Sequence, residues 1–63
     1  MLTNREKEVL KLVECGYTNK EIAETLCVSI HTSKMHVTSI LCKLNLKNRL
    51  QAALWAHKNL QFQ

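Results

Sequence analysis

The chain has 63 residues with a single Gly, no Pro and 46% hydrophobic residues, which fits one compact, mostly helical domain and leaves no room for a second. No stretch approaches the ~18 apolar residues of a membrane span, and the N-terminus lacks the apolar segment of a signal peptide, so a soluble, intracellular protein is expected. The net charge of +4 is unevenly placed: the five acids, Glu6, Glu8, Glu14, Glu21 and Glu24, precede residue 25, while Lys34, Lys43, Lys47, Arg49 and Lys58 follow it with no acid among them. A one-signed second part of this kind is the electrostatic footprint of a polyanion binder. A chain this short buries only about 60% of its unfolded surface, so a module of something larger is expected.

In chain order, Thr3-Asn4-Arg5-Glu6 is a capping box and predicts a first helix over about residues 4 to 15. Val9, Leu10, Leu12 and Val13 give it an apolar face, and Gly16 supplies the left-handed residue that ends it. Thr18-Asn19-Lys20-Glu21 repeats the capping box and opens a short helix over 19 to 26, with Ile22, Ala23 and Leu26 inward. Ala23 is small enough for a close crossing. Ser29 caps a long third helix over 30 to 44, leaving only a tight turn around Cys27 and Val28. Short helix, tight turn and long helix make the helix-turn-helix plan.

On the third helix Ile30, Val37, Ile40, Leu41 and Leu44 fall on one stripe at roughly 100° per residue, the side that packs inward. Ser33 lies within that stripe, where its hydroxyl is expected to bond the carbonyl four residues earlier. Replacing it by Val is then expected to add about 1 kcal/mol of stability. Lys34 borders the stripe; His31, Met35, Thr38 and Cys42 sit opposite it. This outer surface offers donors and small or flexible groups with no carboxylate, which suits a nucleic-acid groove; the plainer reading is a solvated face.

Asn45 is the residue after the third helix best able to take a left-handed conformation, and Asn48 caps a fourth helix over 49 to 58 with Gln51 at the box position. Leu50, Ala53, Leu54 and His57 read as its inward stripe. Trp55 falls off that stripe with Ala52 and Ala56, an apolar patch that predicts a contact with a second copy through these three residues, the competing reading being that Trp55 packs over the first helix or contacts an upstream domain. Cys15, Cys27 and Cys42 form no disulfide framework and read as small buried or half-buried thiols. With no C-x-x-C, and with His31 and His36 on different sides of a helix, neither a structural metal nor a cofactor is expected. No nucleophile, base and orienting residue stand in a supporting context, so an enzyme is not expected.

The motifs L-T-x-R-E-x-E-V-L at the start, G-x-[ST]-N-K-E-I-A over 16 to 23, S-x-x-T-x-K-x-H over 29 to 36, and K-L with a downstream A-A together resemble the LuxR-type (NarL/FixJ, GerE-like) helix-turn-helix DNA-binding domain of bacterial transcription regulators. The resemblance covers nearly the whole chain. It implies an all-α four-helix bundle, usually the C-terminal module of a longer cytoplasmic, nucleoid-associated regulator, whose third helix reads the major groove and whose fourth commonly forms the dimer contact. It matches the base-reading positions to Lys34, Met35 and Thr38, to which His31 is added from the outer face. Backbone-contacting roles fall to Thr18, Asn19, Lys20, Ser29, Thr32 and His36, with Lys43, Lys47 and Arg49 added by their charge. Lys34 would donate to guanine O6 or N7, Thr38 would offer a hydroxyl or methyl, and Met35 would pack on a thymine methyl.

The implied partners are paired half-sites on double-stranded DNA and a second copy of the chain, with RNA polymerase and an upstream regulatory domain beyond them. Two departures stand out: the family usually has Val at the place of Ser33 and Gly at the place of Asn45. Two other readings stay open. A promoter-recognising helix-turn-helix of the sigma-factor kind shares the opening and the E-I-A, but expects an Arg-rich reading helix and no dimer helix. A small protein-interaction bundle docking through Trp55 would not touch DNA at all, and would show no salt-dependent binding to random duplex.

Overall fold

The computed structural model describes residues 1–60 and folds as α1 (Asn4–Glu14), α2 (Asn19–Leu26), α3 (Ile30–Lys43) and α4 (Arg49–Asn59), with no strand among the described residues. The all-α architecture matches the expectation, and helix ends differ from it by one residue at most. Both capping boxes are closed: Thr3 Oγ1 accepts from the Glu6 N–H at 3.1 Å and Glu6 Oε1 from the Thr3 N–H at 2.9 Å, and Thr18 with Glu21 repeats the pair at 3.1 and 2.9 Å. Ser29 and Asn48 cap α3 and α4 by accepting from the N–H groups of Thr32 and Gln51. Gln51 reaches one residue further back than a capping box would have it, to the Lys47 N–H at 2.7 Å.

α1, α2 and α3 stop in the same way. A left-handed residue follows each helix, and the next N–H turns back to a carbonyl five residues earlier: Tyr17 to Leu12, Val28 to Ala23 and Leu46 to Leu41. The left-handed residues are Gly16 (φ 88), Cys27 (φ 58) and Asn45 (φ 56). Gly16 and Asn45 follow from their chemistry. Cys27 does not, since a Cβ in this region costs about 1 kcal/mol or more and Cys has no side-chain bond to offset it.

The core is built from Val9, Leu10 and Val13 of α1, Ile22 of α2, Val37 and Ile40 of α3, and Ala52 and Ala56 of α4. α1 lies against α3 and α4, and α2 lies against α3 with Ala23 buried at their contact. Three inward assignments are corrected. Ile30, at the first turn of α3, is 46% exposed, because the stripe reaches the core only from Ser33 onward. All three cysteines are exposed. On α4, of the expected inward residues only Ala53 packs against the core, half-buried.

On α4, Ala52 and Ala56 are buried and Trp55 is half-buried against the core, whereas Leu50 and Leu54 are 68% and 58% exposed and His57 is exposed as well. The expected dimer face of Ala52, Trp55 and Ala56 is therefore interior. The same orientation suits Arg49, which is half-buried and whose guanidinium bonds the Tyr17 carbonyl at 2.6 Å and Asn19 Oδ1 at 2.7 Å. Ala52 and Ala56, three and seven residues further on, share the face of α4 on which Arg49 is held. Two alanines let α4 approach α1 more closely than two leucines would.

Ser33 is wholly buried, and its hydroxyl lies 2.8 Å from the Ile30 carbonyl and 2.9 Å from the Asn19 carbonyl on α2. The expected partner was the carbonyl of Ser29. Because the hydroxyl serves the α2–α3 contact, a Val there exchanges buried methyls for a lost bond and a closer approach to Asn19, and the expected gain of about 1 kcal/mol disappears.

Candidate nucleic-acid interface

The turn between α2 and α3 is short because Cys27 reverses the chain in one residue and Ser29 caps α3 two residues later. The buried Ser33 hydroxyl, 2.9 Å from the Asn19 carbonyl, ties the two helices together, and Ala23 of α2 is buried as well. That contact leaves the opposite side of α3 facing out, and His31, Lys34, Met35, Thr38 and Cys42 are all exposed along it. Met35 is 58% exposed. The four expected base-reading residues, Lys34, Met35, Thr38 and His31, thus share one surface. None of them has a hydrogen-bond or ion-pair partner among the described residues, and α3 contains no acid. Their donor and apolar groups are available to a ligand.

The expected backbone contacts divide into two groups. Lys20 and Lys47 are exposed with their amines unpaired among the described residues, and His36 is half-buried without a bond. Thr18 and Thr32 accept in the caps, Thr32 from the Ser29 hydroxyl at 2.9 Å, and each retains its own hydroxyl proton to give. Ser29 spends its proton on Thr32. Asn19 has its side-chain oxygen held by Arg49 and its carbonyl by Ser33.

Lys43 and Arg49 differ from the rest of this set in having partners within the fold. Lys43 Nζ donates to Glu6 Oε1 at 2.8 Å, and the Ser39 hydroxyl donates to Glu6 Oε2, also at 2.8 Å. Glu6 is 5% exposed. Three donors surround its carboxylate, and its pKa falls from 4.5 to about 2, chiefly through the Lys43 bond, then through the Thr3 N–H and Ser39. The result is a buried ionic tie between the first turn of α1 and the last turn of α3. Sequence reading found Glu6 only as a capping residue. The available signal was the pair Ser39 and Lys43, four apart on one face of α3, beside the apolar stripe.

The family described as bacterial regulatory proteins, luxR family, matches residues 1–56. The chain is 53% identical over 58 residues to the transcriptional regulatory protein LiaR of Bacillus subtilis, covering 92% of this chain and 28% of LiaR. It is 46% identical over 59 residues to the response regulator protein VraR of Staphylococcus aureus, covering 94% of this chain and 28% of VraR. Among solved structures, the response regulator ChrA of a heme-sensing two-component system superposes with a TM-score of 0.85 at 36% identity, over 92% of this chain and 29% of that one. The chain therefore spans under a third of the length of these relatives. The motif set, the four-helix arrangement and the match over residues 1–56 lead to one conclusion: the chain belongs to the luxR family of bacterial regulatory proteins, a family of transcription regulators and not of enzymes.

Proposed function

We propose that this chain is the sequence-specific, double-stranded-DNA-binding module of a longer transcription regulator, with α3 in the major groove. The observation that supports this most is the outer face of α3, where an unpaired Lys34 stands with Met35, Thr38 and His31 on a 14-residue helix without a carboxylate. Lys34 donates to guanine O6 or N7, Met35 covers a thymine methyl, and Thr38 offers hydroxyl or methyl. Lys20, Thr18, Thr32 and the N–H groups at the start of α3 set the register on phosphate. Lys43, which gives one N–H to Glu6 and is 37% exposed, keeps two further donors for phosphate.

Pairing on DNA falls to the outward side of α4. Leu50 and Leu54, one turn apart, are the exposed apolar residues there, and a two-fold contact through them places two reading helices on half-sites about one helical turn apart. Two leucines are a small patch, so the pairing is weak without DNA. The regulatory signal enters through the remainder of the longer protein, consistent with relatives more than three times as long as the stretch they share with this chain.

Binding to a labelled duplex as a function of salt tests the reading. The expected result is a steep loss of affinity as salt rises. At a selected site Lys34→Ala costs about 1 to 3 kcal/mol and relaxes preference at one base pair. If Lys34→Ala leaves both affinity and base preference unchanged, α3 does not read through this face.

A further inference from the structure

Arg49 was expected on phosphate, yet its two terminal nitrogens point into the protein. One donates to Asn19 Oδ1 at 2.7 Å and the other to the Tyr17 carbonyl at 2.6 Å. These acceptors flank Thr18, the cap of α2. From the other side, the buried Ser33 hydroxyl of α3 reaches the Asn19 carbonyl at 2.9 Å. The first turn of α2 is therefore gripped by α4 and α3 together. Lys20, the residue after Asn19, is exposed and has no internal partner among the described residues.

We infer that Arg49 is a positioning residue for DNA binding: it makes no phosphate contact itself and acts through Asn19 to fix the first turn of α2, so that Lys20 meets the backbone. The inference rests on the DNA reading above. Planar geometry is what the site requires, because two acceptors belonging to different groups must be spanned by one rigid fork. A lysine would keep the charge and reach only one of them at a time. The placement of α4 and the phosphate-facing end of α2 then form one mechanical unit, in which loosening either loosens the other.

The test measures the salt dependence of binding to a fluorescent duplex of random sequence, where only backbone contacts count. Each phosphate contact contributes about 0.9 to the slope of log affinity against log salt. Lys20→Ala is expected to reduce the slope by about that amount. Arg49→Lys and Asn19→Ala remove no charge, yet each is expected to reduce it by the same amount, and adding Lys20→Ala to either changes nothing further. Loss of folded protein alone lowers affinity without altering the slope, and circular dichroism melts of every variant monitor the folded fraction. The inference is overturned if Arg49→Lys and Asn19→Ala retain the unmodified slope, or if their effects add to that of Lys20→Ala. A wild-type chain that shows no salt-dependent binding overturns the DNA reading, and this inference with it.

Discussion

Replacing Glu6 by Gln removes one charge from the interior while leaving the side chain's shape and its oxygen for the Thr3 N–H. What is lost is the ionic part of the 2.8 Å bond from Lys43, together with the acceptor of the Ser39 hydroxyl, which meets an amide NH2 in place of Oε2. A carboxyl held at about 2 in the folded chain against an ordinary 4.5 implies an upper limit of about 3 kcal/mol at neutral pH, at about 1.4 kcal/mol for each pH unit. The Lys43 side chain is 37% exposed, so water screens part of the attraction, and about 2 kcal/mol is the expected cost. In a domain of this size that lowers the melting temperature by about 8 to 16 °C. The sign of the pH dependence follows from a folded pKa below the unfolded one. The stabilisation is complete above about pH 4.5 and is lost as the pH falls toward 2. Urea titrations of the wild-type and Glu6→Gln chains at pH 7, 4.5, 3 and 2 should show a gap in stability that narrows across that window. A gap under about 0.5 kcal/mol at pH 7, or one that stays constant down to pH 2, would refute the assignment of Glu6 as an ionised tie.

Cys27→Gly should raise stability by about 0.5 to 1 kcal/mol, since relief of the left-handed strain outweighs the extra freedom of the unfolded chain; a lower urea midpoint would contradict this. Ser33→Ala should cost about 1 kcal/mol, the worth of one buried bond, and leave no orphan because the Asn19 carbonyl keeps its place in the α2 ladder. Thermal melts give that value directly. Leu54→Arg should change the stability of the monomer by less than about 0.5 kcal/mol yet abolish cooperative binding to two half-sites. Trp55→Arg should instead lower the melting point, its ring being half-buried against the core. If the two substitutions exchange these effects, the orientation of α4 is wrong.

Much of the fold was legible because its punctuation is local. Thr3, Thr18, Ser29 and Asn48 each announce a helix through a side-chain oxygen placed three residues before the N–H it serves, and Gly16 announces an end through its missing Cβ. The reading face of α3 was legible for a similar reason, since Lys34, Met35 and Thr38 lie off one clear apolar stripe. α4 was misread because its sequence carries two competing stripes. Leu50 and Leu54 outweigh Ala52 and Ala56 in hydrophobicity, and what favours the alanine face lies elsewhere: the close packing on α1 and the acceptors that the Arg49 guanidinium finds some thirty residues earlier in the chain. The tie from Lys43 to Glu6 was hidden for the same kind of reason. The charge of Lys43 is visible in the sequence, and the carboxylate that neutralises it is 37 residues away.

The exposure of Cys15, Cys27 and Cys42 has a practical consequence for anyone handling the protein. Three thiols should titrate with a colorimetric disulfide reagent in the native state, with no need for denaturant. Stored without reductant, molecules should cross-link to one another through them. The same three groups act as built-in reporters at separate places: the end of α1, the turn before α3 and the outer stripe of α3. Alkylation followed by mass spectrometry would then read occupancy of that stripe without any engineered label, with Cys42 slowed by bound duplex and Cys15 serving as the internal standard.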